Sequence, residues 1–183
     1  MKLKSDIIQS LQDARFCSAE GFSALTFNFI KGDINRMGAD MIGEISGWLS
    51  GTDCILSCGP EILEPGAIPD DLKFQGVQST DLKIVQEFSN QNKIGIWVQD
   101  KMPVQFPQSI FVQLPIGQYH AAAKNDRIWY SLDDVSEINL LDPDNLPYGI
   151  CFSEKFKDFE GLLDFDRIHD VLDKLDQLQV VRE

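Results

Sequence analysis

The chain has 183 residues, 43% of them hydrophobic and 25% charged, ordinary globular usage that argues against disorder. Twenty-nine acidic against sixteen basic residues give a formal charge of −13, which repels phosphate backbones and argues against direct nucleic-acid binding. No apolar run approaches the roughly 20 residues of a bilayer span, and no apolar signal core follows the charged start Met1-Lys2-Leu3-Lys4-Ser5-Asp6. A cytoplasmic protein without membrane contact is expected.

Leu3, Ile7, Ile8, Leu11 and Ala14 recur at helical spacing, so an amphipathic helix is predicted over 5–16. Ser23–Ile30 alternates, with Leu25, Phe27 and Phe29 on one side, and reads as a half-buried strand. After Lys31-Gly32-Asp33, the stripe Ile34, Met37, Met41, Ile45 and Trp48 predicts a helix ending at Ser50-Gly51. Cys54–Ser57 and Leu72–Gln78 read as strands, separated by a Pro- and Gly-rich loop, and Asp81–Phe88 as a short helix capped by Thr80. Ile94–Val98, Ile110–Leu114 and Gln118–Lys124 read as further strands. A helix is predicted over Trp129–Leu141, a strand from Tyr148 to Glu154, and a helix over Asp166–Gln179 with an acidic outer face.

The expected fold is therefore one α+β domain spanning 1–183. It has a mostly antiparallel sheet with helices on one face, two duplicated strand–helix–strand–strand modules and terminal helices. The duplication rests on an offset of 93 residues that aligns Lys31 with Lys124, Asp33 with Asp126, Glu44 with Glu137, Ile45 with Ile138 and Glu61 with Glu154. It divides the chain into halves of 15–90 and 91–160.

Motifs for chemistry are sparse. Cys54 and Cys58 could begin a zinc site, but no second ligand pair follows, because His120 and His169 are solitary; no metal or cofactor is expected, and the four thiols suit burial better. There is no phosphate-cradling glycine loop and no nucleophile elbow. A Cys–His pair could be assembled in space from His120 and one of the cysteines, yet no flanking motif supports it. No catalytic residue is assigned, and the balance leans away from an enzyme.

Phe22–Ile30, the helix ending in Trp48-Leu49, Cys58-Gly59-Pro60-Glu61-Ile62, Phe111–Tyr119 and Ile150–Glu154 together resemble the GyrI-like fold. That fold comprises the effector-binding domains of bacterial multidrug-sensing regulators and the stand-alone gyrase-inhibitory proteins. The resemblance implies a non-enzymatic ligand-binding or regulatory domain with a cleft between two modules. Phe27, Trp97, Tyr119, Trp129 and Tyr148 would form aromatic walls around a small hydrophobic or cationic ligand, with Glu154 as the facing charge and Glu61 its counterpart. The alternative is an acidic protein-binding module, such as an immunity or inhibitor protein, that covers a basic partner through Asp170, Asp173 and Asp176.

Overall fold

The computed structural model describes residues 1–120, 126–159, 161–178 and 180. Eight strands follow in chain order: β1 (Lys2–Ile8), β2 (Ala24–Asn28), β3 (Asp53–Ser57), β4 (Gly76–Ser79), β5 (Ile94–Val98), β6 (Ile110–Pro115), β7 (Ile128–Leu132) and β8 (Gly149–Phe152). Each pairs in parallel with its sequence neighbours, and β1 closes on β8 from Lys2↔Gly149 to Ser5↔Phe152, making a closed eight-stranded barrel of the TIM type. Parallel neighbours need crossover connections, since a tight hairpin can join only antiparallel strands.

Among the described residues four α-helices pack on the outside: α1 (Leu11–Ala19), α2 (Ala39–Trp48), α3 (Leu82–Asn90) and α4 (Phe165–Gln177). Three of their starts are written in the sequence, while α2 begins after Gly38 without a side-chain cap. Ser10 accepts from Asp13 N at 3.1 Å while Asp13 accepts from Gln9 N at 3.0 Å, and Asp81 and Asp164 cap α3 and α4. The other crossovers are abbreviated. Turns of 3-10 helix stand at Pro60–Leu63, Ile116–Gln118 and Val135–Leu140, and the β5–β6 connection carries no helix. This economy fits a barrel into 183 residues, where about 200 is the usual lower limit. Among the described residues no helix is long and apolar enough to cross a membrane.

The main core lies between strands and helices, and holds Leu3, Ile7, Leu25, Phe27, Leu56, Val77, Val112, Leu132, Ile150 and Phe152 together with Ile42, Ile84, Ile168 and Leu175. Gly95 lets α3 lie against β5: a Cβ there would sit 2.8 Å from Val85 Cγ1. A second, smaller cluster of Ala24, Ile55 and Ile96, with Ile94 and Phe111 against it, fills the inside of the barrel. Trp129 shares that end, its ring occupying the space that a side chain at Gly149 would need.

The antiparallel α+β expectation is therefore wrong in sheet direction and in closure. Residues 5–16 do not form one helix: β1 precedes α1, and Leu3 and Ile7 are outward positions of a strand whose inward positions are Lys4 and Asp6. Trp129–Leu141 is not one helix either. It is β7 followed by a 3-10 turn, and β7 lacks visible alternation because both its faces are buried. The predicted strand Leu72–Gln78 is displaced to β4. The Gln118–Lys124 strand is absent at 118–120, and its remainder lies outside the described residues. Lys124 lies there too. The offset of 93 carries the start of β2 onto 117–120, where there is no strand but the end of a 3-10 turn and irregular chain.

Candidate active site at the C-terminal mouth of the barrel

Along most strands the earlier inward residue is apolar or glycine and the later one polar. Ala24 precedes Thr26 and Asn28, Ile55 precedes Ser57, Gly76 precedes Gln78, Phe111 precedes Gln113, Trp129 precedes Ser131, and Gly149 precedes Cys151. The interior is thus plugged at one end and polar at the other. The polar end opens into a cavity of about 350 Å³ at the C-terminal ends of the strands, within the usual range for small-molecule sites.

At the base of this cavity stands Asp6. Its carboxylate pairs with the Lys4 ammonium, accepts from Gln113 Nε2 at 2.7 Å and is met by the Cys151 thiol at 3.0 Å. Lys4 is wholly buried and also donates to Gln78 Oε1 at 2.5 Å and to Thr26 Oγ1 at 3.3 Å. Four side chains from β2, β4, β6 and β8 thus surround the ion pair, Thr26 and Gln78 on the Lys4 ammonium and Gln113 and Cys151 on the Asp6 carboxylate. Gln113 is 5% exposed, and its Oε1 has no hydrogen-bond partner.

Burial alone would raise the Asp6 pKa, but the Lys4 charge and the three donors outweigh it and hold the carboxyl below its ordinary value. Burial likewise opposes the Lys4 charge, and Asp6 reverses that, so the ammonium titrates above its ordinary range. Burial and the neighbouring Asp6 charge push the Cys151 thiol well up, so it remains a protonated donor. All four cysteines are buried, with burial pushing Cys17 and Cys58 up to about 12 and Cys54 to about 11.

The rim is made by the loops that follow the strands. Asp33 follows β2, Asp133 follows β7, and Ser153, Glu154 and Lys155 follow β8. Ser153 Oγ donates to Asp133 Oδ1 at 2.6 Å, and Glu154 lies 3.5 Å from Lys157. Among the described residues, no three His, Cys, Asp or Glu side chains are grouped to hold a metal ion. A larger depression of about 520 Å³ lies at the opposite end, between α2 and the start of β3. The C-terminal mouth is the better candidate, because parallel barrels place their chemistry where the strands end and the loops begin.

Of the residues singled out from sequence, Glu154 lines the mouth. Glu61 stands in the 3-10 turn after β3 and accepts from Lys31 N at 2.8 Å. Phe27 is fully buried on the helix-facing side of β2, and Trp97 packs toward the main core with Nε1 donating to Thr80 O at 3.1 Å. Tyr119 crosses Tyr130 edge-on and donates to Asn145 O at 2.6 Å. Trp129 and Tyr148 do meet, edge to face at 5.2 Å, at the plugged end. Asp170, Asp173 and Asp176 lie exposed on α4, where His169 approaches Glu20 at 3.3 Å; His120 is exposed before the undescribed segment. Lys4, Asp6, Gln78 and Gln113 escaped notice. The available signal was a Lys and an Asp two apart in an otherwise apolar run, which is how an inward strand face reads when it carries charge.

No protein-family model matches the sequence, and no curated protein matches it. Solved structures do. The TrpF protein of Jonesia denitrificans superposes with a TM-score of 0.71 at 14% identity, over 98% of each chain. The phosphoribosyl anthranilate isomerase of Thermotoga maritima gives 0.69 at 17% identity, over 97% of this chain and 99% of that one. Another phosphoribosyl anthranilate isomerase, crystallised with reduced 1-(o-carboxyphenylamino)-1-deoxyribulose 5-phosphate, gives 0.70 at 15% over the same shares. At these identities the likeness is one of fold.

The likeness overturns the GyrI-like resemblance and what it implied. A single closed barrel has no seam between two modules, and its aromatics are spread over outer core, loops and plugged end instead of walling one cleft. The non-enzymatic effector-binding or regulatory domain, its hydrophobic or cationic ligand, and the alternative immunity protein with a basic partner are all withdrawn. Several of the neighbours are phosphoribosyl anthranilate isomerases, one of them bound to a phosphorylated sugar derivative, and a 3-deoxy-D-arabino-heptulosonate 7-phosphate synthase shares the fold as well.

Proposed function

We propose that this chain is an enzyme of the isomerase kind, which moves a proton within a small polyhydroxylated carbonyl compound at the C-terminal mouth of the barrel. The observation that carries the proposal is the buried Lys4–Asp6 pair at the base of a ligand-sized cavity, with Thr26 and Gln78 on its ammonium and Gln113 and Cys151 on its carboxylate. A buried ion pair seldom stabilises a fold better than apolar side chains of the same volume would. Its placement where parallel barrels do their chemistry gives it a use. Further support comes from the isomerases that share the fold, one of them crystallised with a ribulose derivative.

Asp6 is the proton acceptor in this scheme, because Lys4 stays an ammonium and Cys151 a thiol. In the free protein Lys4 keeps the carboxylate ionised. A bound ligand displaces water from its open side, and that desolvation raises its basicity. Asp6 then takes the proton from the carbon beside the carbonyl and returns it to the former carbonyl carbon, while the hydroxyl proton passes between the two oxygens. Asn28, Ser57, Ser131 and Ser153 around the cavity suit the ligand's remaining hydroxyls.

Incubation with a panel of aldoses and ketoses in deuterated water tests this. Deuterium should enter the carbon next to the carbonyl of at least one sugar, and Asp6→Asn should slow that entry by about 10²–10⁴-fold. No incorporation across the panel, or undiminished incorporation by the variant, contradicts the proposal.

A further inference from the structure

The loops after β7 and β8 are where TIM barrels frequently hold a phosphate, on backbone N–H groups at a helix start. In this chain several of those donors are taken by its own side chains. Asp133 N and Asp134 N both donate to Glu137 Oε2, at 2.6 and 3.1 Å, and Ser136 N donates to Asp134 Oδ1 at 2.8 Å. Lys155 N donates to Ser153 Oγ at 3.2 Å, and Arg167 N, at the start of α4, to Asp164 Oδ1 at 3.1 Å. The Arg167 guanidinium is engaged as well, with Lys155 O at 2.5 Å, Asp134 Oδ2 at 3.5 Å and the face of Phe156.

Charge points the same way. Around the cavity stand the carboxylates Asp6, Asp33, Asp133 and Glu154, against Lys155 on the rim, Lys157 beside Glu154 and Lys4 beneath. A phosphate dianion entering here meets carboxylates where a phosphate reader presents free N–H groups. A second, independent observation says what is wanted instead. The Gln113 side chain, 5% exposed and lining the cavity, has Nε2 tied to Asp6 and Oε1 with no partner. A buried carbonyl oxygen without a donor is costly, and a ligand hydroxyl that reaches it recovers that cost.

Resting on the isomerase proposal and narrowing it, we infer that the mouth takes an uncharged, unphosphorylated polyhydroxylated compound, with one hydroxyl donated to Gln113 Oε1 and the end nearest Asp133 and Glu154 bearing hydroxyl rather than phosphate. The site would then differ in substrate charge from the structurally similar isomerase crystallised with a 5-phosphate.

Calorimetric titration of the full chain at low salt with D-ribulose, D-ribulose 5-phosphate and inorganic phosphate tests the inference. D-ribulose should bind at least roughly tenfold tighter than its 5-phosphate, and inorganic phosphate should not bind. The double variant Asp133→Asn/Glu154→Gln, with folding checked by circular dichroism, should narrow that gap by strengthening the 5-phosphate alone. Equal or tighter binding of the 5-phosphate by the unaltered chain overturns the inference and leaves the mouth as the site. Absence of binding by all three probes overturns it also, and deuterium exchange then reports separately on whether the mouth is catalytic.

Discussion

Ala24, Ile55, Ile96, Ile94 and Phe111 fill one end of the barrel interior with hydrocarbon, whereas inward positions nearer the C-terminal ends of the strands present Thr26, Ser57, Gln78, Gln113 and Ser131 around a buried Lys4–Asp6 pair. The two ends share one backbone scaffold and differ in what they contribute. Apolar filling stabilises in proportion to the area it removes from water. A buried pair must first recover its own desolvation, and on balance it often contributes nothing. The plugged end accordingly holds the barrel shut, and the open end holds groups that the fold does not require.

Breaking the pair on one side gives the largest expected effect. Lys4→Met strands the Asp6 carboxylate with its amide and thiol donors but no cation, and should cost about 3–5 kcal/mol in urea unfolding. A cost below about 1 kcal/mol would mean that the pair is far more solvated than its burial implies. Ile55→Ala at the plugged end should cost about 2–5 kcal/mol through lost transfer energy and a residual cavity. Unlike Lys4→Met, it should leave any deuterium exchange at the mouth unchanged once the protein is folded.

The smallest effect lies in pH. Asp6 titrates below its ordinary value of 3.8, so its contribution is complete above that value and is lost as pH falls through the lower, folded-state value. Lys4 titrates above its ordinary 10.5, so its share is present below that value and is lost only as pH rises through the still higher folded value. Across the neutral range the pair should therefore add no slope to the stability curve. Unfolding measured from pH 7 downward should show the pair's part of the acid loss only below about pH 4.

Much of the outer architecture was legible in the chain, and the reasons are physical. The apolar stripes of α3 and α4 face a core, and β2, β3, β5 and β6 have strongly apolar residues bounded by turns, so period and punctuation agree. On α2 only Ile45 of the expected stripe is buried, beside Ile42, while Met41 and Trp48 are exposed and Ile34 lies exposed before the helix. Sheet direction was not legible, because the strand–helix alternation that announces parallel pairing is broken wherever a 3-10 turn or a bare loop replaces a helix. β1 resembles a helix in sequence because its inward residues are charged, which leaves Leu3, Ile7 and Ile8 at a spacing that also suits a helix. The site was lost with that strand. Aromatic residues drew attention because rings often line ligand cavities, yet Phe27 and Trp97 serve the outer core.

The central claim is that the Lys4–Asp6 pair is retained for what it does at the mouth and not for holding the barrel together. Equilibrium unfolding of the double variant Lys4→Met/Asp6→Leu tests it most directly, since apolar side chains of similar size then extend the plug upward. A stability equal to that of the unaltered chain, or greater by about 1–4 kcal/mol, is the predicted result. A loss of about 3 kcal/mol or more in the double variant would contradict it, and would make the pair a structural element of the barrel.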